Sequence, residues 1–188
     1  MPSYHELFIV DLELTCHPDG EEPLGWHPEI IQVGWTKLHM ESFTLSPPVS
    51  VFIKPEGKIS EFCTNLTGIT YKQVKSGIPW RDACKYIMRN FGTRKYPWAG
   101  WGDDNLAVDA ECLRTDSRSP FNEKYIDLSA LYGFTFNNSR STSLGRAAEH
   151  LNTDFCRPAH NAANDALTTA HIAQKLFSYM RKAEDTEE

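Results

Sequence analysis

The chain has 188 residues, of which 40% are hydrophobic, and it carries a formal net charge of −6 at pH 7. This length allows one domain with a sizeable core, and the composition argues against a disordered chain. The negative charge argues against non-specific nucleic-acid binding through lysine and arginine, but not against an enzyme whose positive charge comes from a bound metal.

Apolar stretches rich in β-branched and aromatic residues predict four strands. The first covers residues 7–14, and a polar loop rich in proline and glycine follows it at 16–28. Two more strands are predicted at 30–38 and 49–54, and a fourth at 96–102.

Apolar residues three and four apart predict helices around and after these strands. Residues 59–74 are expected to form two short helices that separate at Gly68. Asp103 or Asp104 is expected to start a helix that runs to about residue 113. Strands come first and helices then alternate with strands, which predicts an α/β fold with a mixed sheet. The remaining predicted helices cover residues 80–91, 143–151 and 160–180.

Two carboxylates stand close to the end of the first predicted strand. Asp11 and Glu13 are two residues apart, so in an extended strand both side chains point to one face, with Leu12 on the other. Like charges this close are unfavourable unless a positive group lies between them, and a divalent metal is the simplest such group. Taken alone, the pair fits a strand end that reaches solvent better than a metal site.

The stretch HNAAND opens the last predicted helix. His160 and Asp165 can converge if the histidine lies in the loop before the helix and the aspartate lies in its first turns. Pro158 favours this arrangement because it disfavours helix at the preceding residue. Ala162 and Ala163 are small enough to let this helix end approach another element closely. A surface histidine beside a helix-start aspartate is the alternative.

A third carboxylate position follows the fourth predicted strand. The stretch GWGDDN places Asp103 and Asp104 at a helix start, where an ordinary helix cap is the alternative to a metal ligand. Considered together, the three places supply four carboxylates and one histidine at the ends of predicted core elements. That combination is what two-metal phosphoryl chemistry requires.

These motifs, in this order, resemble those of the DEDDh 3′–5′ exonucleases, which have a ribonuclease H-like fold. The resemblance covers about residues 7–176, and it implies a mixed five-stranded sheet flanked by helices. It is closest to the histone-mRNA and small-RNA 3′ exonucleases and their bacterial relatives. FIVDLELTC, SEFCTNLTGIT and WGDDNLAVDAEC carry this closer match.

The resemblance implies a role for each residue of the three motifs. It implies two Mg²⁺ or Mn²⁺ ions, and it makes His160 the general base that takes a proton from the attacking water. Asp104 is preferred to Asp103 as a ligand because it lies eight residues before Cys112, as in similar sequences, and four before the apolar Val108. This choice leaves Asp103 as an exposed cap. The implied metal ligands are Asp11, Glu13, Asp104 and Asp165.

The resemblance also implies contacts with a substrate. Thr15 and the backbone near Leu12 and Leu14 would contact the terminal nucleotide. Apart from the resemblance, Trp101 is a candidate for stacking on a base, because such stacking tolerates any sequence and suits single strands. The implied reaction releases nucleoside 5′-monophosphates from the 3′ ends of single-stranded RNA, with DNA 3′ ends as a further substrate. The alternatives are a catalytically silent nucleic-acid-binding adaptor and a nuclease that acts on DNA or on very short oligonucleotides.

Three arginines precede the histidine of the last motif. Arg140, Arg146 and Arg157 fit either a phosphate-binding rim or a solvated surface. Residues 137–142 match no motif of the family, so the resemblance assigns them no role.

The cysteines and the chain start bear on location. Five cysteines without a CxxC pair argue against both a disulfide framework and a structural zinc site, and they favour a reducing compartment. No apolar run approaches a membrane span, and MPSYHELF lacks the regions of a signal peptide. We expect a cytoplasmic protein with no membrane partner, of unspecified oligomeric state. Residues 1–188 are expected to form one exonuclease domain, with a core at about 7–180 and an acidic C-terminal tail.

Overall fold

Five strands form one mixed sheet in the computed structural model, which describes residues 4–182. The sheet order is β3–β2–β1–β4–β5, in which β1 pairs antiparallel with β2 and parallel with β4. The mixed α/β architecture predicted from the sequence is therefore confirmed. The strands are β1 (Glu6–Leu14), β2 (Ile30–His39), β3 (Val49–Phe52), β4 (Trp98–Gly100) and β5 (Tyr125–Asp127).

Seven helices lie within the described residues, and six of them correspond to predicted ones. The two short helices separate at Gly68, as expected, because this residue ends the first one with a left-handed backbone (φ 71°). The helices are α1 (Glu61–Thr67), α2 (Tyr71–Lys75), α3 (Trp80–Phe91), α4 (Asp104–Arg114), α5 (Leu128–Thr135), α6 (Leu144–Leu151) and α7 (Ala162–Lys182).

The central strand β1 is covered on both faces, and its alternation decides which side chains meet which helices. Phe8, Val10 and Leu12 are buried in a cluster with residues of α3 and α4. Leu7 and Ile9 are buried on the opposite face with residues of α5 and α7. Because strand side chains alternate with a period of two, Asp11 and Glu13 continue the second face, toward α7.

The start of α7 lies directly on the sheet. A Cβ atom at Gly34 of β2 would stand 2.0 Å from the carbonyl carbon of Ala162, so only glycine fits there. The side-chain oxygen of Gln32, on the same strand, accepts a 3.1 Å hydrogen bond from the Ala162 N–H. The close approach expected from the small residues of HNAAND is confirmed, and it brings the first turn of α7 to the end of β1.

Two elements were missed by the sequence analysis. β5 and α5 fall in a stretch to which no element was assigned, because a three-residue strand is too short to show a periodic pattern. β4 is also shorter than predicted, since residues 96, 97, 101 and 102 lie outside it.

The predicted single domain over residues 1–188 stays a prediction. Its acidic tail falls mainly on residues 183–188, which lie outside the described part of the chain. Within residues 4–182, no helix has both the length and the apolar character required to cross a membrane.

Candidate active site

The four predicted metal ligands converge from three elements. Asp11 and Glu13 lie near the carboxyl end of β1, Asp104 is the first residue of α4, and Asp165 lies in the first turn of α7. Because β4 runs parallel to β1, the helix that follows β4 starts at the same edge of the sheet where β1 ends. The charges of the other three carboxylates all raise the pKa of Asp11, which places the four groups within electrostatic reach of one another.

Burial and mutual repulsion disfavour the charged forms of these carboxylates. Burial is the larger cause of the raised pKa of Asp11, followed by the charges of its three neighbours. Burial, and then the charges of Asp165 and Asp104, raise the pKa of Glu13 to about 8. The pKa of Asp104 rises to about 7, mainly through burial. A cluster of this kind is stable in its ionised form only with a positive partner.

The hydrogen bonding of the Asp165 carboxylate indicates a place for a cation. Its Oδ2 accepts a 2.8 Å hydrogen bond from the backbone N–H of His160. Its Oδ1 is buried and finds no hydrogen-bond partner among residues 4–182. Ligand atoms of Glu13, His160 and Asp165 lie within 4.8 Å of one another, so one ion could contact this free oxygen and its neighbours. Hard carboxylate oxygens fit Mg²⁺ or Mn²⁺.

His160 lies at the rim of the cluster, in the loop that precedes α7, as predicted. Its side chain is exposed, whereas Glu13 and Asp165 are buried. Its backbone is left-handed (φ 56°), a conformation that is uncommon outside glycine. The distance to Glu13 and Asp165 permits either a base or a metal ligand, and the role of base stays a prediction.

The structure distinguishes between the two adjacent aspartates. The Asp104 carboxylate occupies the space above Gly100, where a Cβ atom would stand 2.2 Å from Oδ2. Asp103 is exposed and lies at the N-cap position of α4, but its side chain makes no capping hydrogen bond. The expectation that Asp103 is an exposed cap is confirmed by its position, although the side-chain hydrogen bond that often completes such a cap is absent. The reason is its backbone (φ −97°, ψ 27°), which departs from the extended conformation typical of a side-chain cap.

Two residues beside Asp104 were missed by the sequence analysis. The Tyr125 hydroxyl donates a 2.5 Å hydrogen bond to the Gly102 carbonyl, and the Gly102 N–H donates a 3.1 Å bond to Oδ1 of Asp127. Gly102 is thus held on both sides, two residues before Asp104, with a left-handed backbone (φ 108°). The available signal was an aspartate before the apolar run LSALYGF, since Asp127 caps α5.

The predicted substrate contacts lie around the cluster. Thr15 is buried, and its hydroxyl accepts a 2.9 Å bond from the Glu29 N–H. The Leu12 side chain is buried in the core on the opposite face of β1, so a nucleotide could contact only the backbone of this residue. Leu14 is partly buried. Trp101 is partly buried, and its indole N–H donates a 3.0 Å bond to the Thr142 carbonyl. Their contacts with a nucleotide stay predictions.

Comparison with known proteins places the chain in a family. The family model for RNase T, described as an exonuclease, matches residues 8–173. The chain is 28% identical over 200 residues to the ERI1 exoribonuclease 2 of Mus musculus, a match that covers 93% of this chain but 29% of that protein. It is 29% identical over 182 residues to the probable 3′-5′ exonuclease KapD of Bacillus subtilis, covering 95% of this chain and 85% of that protein.

A solved structure shows the same fold. The nuclease domain of 3′hExo, a DEDDh family member solved with bound rAMP, superposes with a TM-score of 0.83 at 23% identity. The superposition covers 94% of this chain and 93% of that domain. The ribonuclease H-like fold implied by the motifs is therefore confirmed. The chain belongs to the exonuclease family.

Proposed function

We propose that the protein is a metal-dependent DEDDh 3′–5′ exonuclease that removes nucleoside 5′-monophosphates from single-stranded 3′ ends, with RNA preferred over DNA. The observation that carries the proposal is the cluster of four carboxylates, of which Glu13 and Asp165 are buried and in which Oδ1 of Asp165 has no partner among residues 4–182. The names of the mouse and Bacillus relatives, an exoribonuclease and a probable 3′-5′ exonuclease, support it. The chain spans less than a third of the mouse relative, so the activity is proposed for this portion only.

The carboxylates would hold two Mg²⁺ or Mn²⁺ ions through Asp11, Glu13, Asp104 and Asp165. When bound, these ions would neutralise the cluster, acidify a water molecule and stabilise negative charge on the leaving 3′ oxygen. The donor set fits, because four carboxylates provide hard oxygen ligands and their pKa values are raised without a cation.

His160 would remove the proton from the attacking water. Its exposed imidazole lies where solvent reaches the cluster, beside Glu13 and Asp165. Burial raises the pKa of Asp165, and the backbone N–H and the charge of His160 oppose that rise, so the two residues interact electrostatically. Attack on the last phosphodiester then breaks its bond to the 3′ oxygen of the penultimate nucleotide.

Recognition of the strand end would come from residues around the metal ligands. Glu13 could accept a hydrogen bond from the terminal 3′-OH, and Thr15 lies two residues further along the chain. Trp101 lies three residues before Asp104 and would stack on a base. The RNA preference is supported by the name of the mouse relative, an exoribonuclease, and by the rAMP bound to the 3′hExo nuclease domain.

The decisive experiment follows a 5′-labelled single strand in Mn²⁺ and in EDTA, with Asp11→Asn as the matched inactive variant. Stepwise shortening in Mn²⁺ only, with circular and 3′-phosphorylated strands resistant, is the expected result. Binding without cleavage would favour a silent adaptor, and cutting of circles would exclude an exonuclease. A matched DNA strand at the same salt concentration tests the sugar preference.

The wider setting is also part of the proposal. We propose that the chain forms one exonuclease domain. We also propose that the protein is cytoplasmic, because all five cysteines are free in the structure, as expected in a reducing compartment. Fractionation of cells that express a tagged full-length chain tests the location.

A further inference from the structure

A groove of about 490 Å³ lies between α5 and the loop that follows it. The helix supplies one wall, including Gly133 and Phe134, and residues 137–142 supply the other. The loop is shaped by its own hydrogen bonds, since the Asn138 N–H donates to the Gly133 carbonyl at 2.8 Å and the Asn138 amide donates to the Thr142 hydroxyl at 2.9 Å. The groove is therefore a built feature of a segment that matches no motif of the family.

A hydrogen bond connects the groove to the turn that precedes Asp104. Thr142, which lines it, accepts the indole N–H of Trp101 at 3.0 Å. The other wall is α5, and the residue that caps the start of this helix is Asp127. The Asp127 carboxylate accepts a hydrogen bond from the Gly102 N–H. Trp101 and Gly102 lead directly to Asp104, so both walls of the groove are tied to the turn that positions a proposed metal ligand.

The chemistry of this surface differs from that of the rest of the chain. Residues 128–148 contain two arginines and no aspartate or glutamate, in a chain whose net charge is −6. Arg140 lines the groove and is exposed, and Phe134 on the facing wall is 87% exposed. An exposed aromatic ring and a cation that line one groove, among serine and asparagine side chains, are a combination that suits single-stranded nucleic acid, through stacking and phosphate contacts.

We propose that this groove binds the nucleotides on the 5′ side of the bond that is cut, with a base stacked on Phe134 and a phosphate at Arg140. The inference rests on the proposed function, because it extends the same strand away from the carboxylate cluster. In this proposal the groove contributes to the affinity for the substrate and does not take part in cleavage of the bond. Long strands would reach it, whereas a dinucleotide would occupy the active site alone.

The test uses Phe134→Ala and Arg140→Ala, with Leu113→Ala and Arg89→Ala as matched exposed controls on α4 and α3. Fluorescence anisotropy measures the affinity for a twelve-nucleotide single-stranded RNA in EDTA, and kcat/KM is measured in Mn²⁺ for that strand and for a dinucleotide. Loss of one stacking contact should weaken binding of the long strand about tenfold. Arg140→Ala should also reduce the dependence of binding on salt. Dinucleotide hydrolysis should not change.

Several results would overturn the inference. Long-strand affinity equal to that of the controls would remove the groove from the substrate path. A parallel loss of dinucleotide hydrolysis would mean that the variants disturb the active site. Displacement of the RNA by poly(aspartate) at equal charge concentration would indicate a general anion site. If the unmutated protein cleaves no substrate, the proposed function fails. The binding measurement in EDTA would still show whether the groove binds RNA.

Discussion

The backbone N–H of His160 donates a 2.8 Å hydrogen bond to Oδ2 of Asp165, five residues further along the chain. This bond fixes one carboxylate oxygen, while Oδ1 of the same group is buried without a partner in residues 4–182. The left-handed backbone of His160 brings the N–H to the aspartate and leaves the imidazole at the rim. One short loop thus orients a proposed metal ligand and presents the proposed base.

Replacement of Asp165 by asparagine should abolish Mn²⁺-dependent cleavage without unfolding the protein. The amide oxygen can still accept the His160 N–H, but an NH₂ group replaces the free oxygen, and a buried charge is removed from a repulsive cluster. The melting temperature without metal should stay equal or rise, and calorimetry should show weaker Mn²⁺ binding. Asp103→Asn is the control, because this exposed side chain should affect neither quantity. An active Asp165→Asn variant would contradict the ligand assignment.

The metal-free protein should lose stability as the pH rises through the range in which the cluster ionises. Burial raises the folded pKa of Glu13 from an ordinary 4.5 to about 8 and that of Asp104 from 3.8 to about 7. A raised carboxyl pKa favours the folded state at low pH, and this contribution is lost as pH increases from about 4 to 8.

Thermal unfolding at pH 5, 6, 7 and 8 in EDTA measures this effect, with Glu13→Gln as the comparison. The difference in melting temperature between the unmutated protein and the variant should become more negative as pH rises. Saturating Mn²⁺ should stabilise the unmutated protein most at the highest pH, since the ion replaces the protons. A difference that is constant with pH would show that Glu13 is not repelled in the folded state.

Loss of the His160 imidazole should reduce the rate and leave metal affinity intact. Because the backbone there is left-handed, His160→Asn is the better variant, since asparagine tolerates this conformation and alanine does not. The rate should fall about 10²- to 10⁴-fold, the usual contribution of a general base. The Mn²⁺ dissociation constant should not change. Because the imidazole lies within 4.8 Å of Glu13 and Asp165, a large loss of Mn²⁺ affinity would make it a ligand instead.

The parts of the fold that sequence could predict are those with a local pattern. The alternation of β1 placed Asp11 and Glu13 on one face, and Ala162 indicated the close approach that Gly34 in fact permits. The choice of Asp104 came from the resemblance and from its position four residues before the apolar Val108. It is the space above Gly100 that receives the Asp104 carboxylate.

The parts that sequence could not predict depend on contacts between distant segments. β5 has three residues and, within the described part of the chain, pairs with β4 alone, so its placement follows from the sheet and not from its own pattern. The bond from Tyr125 to Gly102 joins residues 23 apart in the chain. The groove beside α5 likewise appears only when the loop at 137–142 folds back toward Trp101.

Removal of the Tyr125 hydroxyl should impair the site through the turn that carries Asp104. In Tyr125→Phe the ring keeps its packing against Trp98, at 4.5 Å between centroids, but the 2.5 Å bond to the Gly102 carbonyl is lost. The loss of one partly buried hydrogen bond should lower the free energy of unfolding by about 0.5–1.5 kcal/mol. A looser Asp104 should also weaken Mn²⁺ binding. Tyr86→Phe, an exposed tyrosine on α3, is the control for both measurements. Equal stability with unchanged Mn²⁺ affinity would show that Asp127 alone holds Gly102, in which case only an Asp127→Ala variant would move the metal ligand.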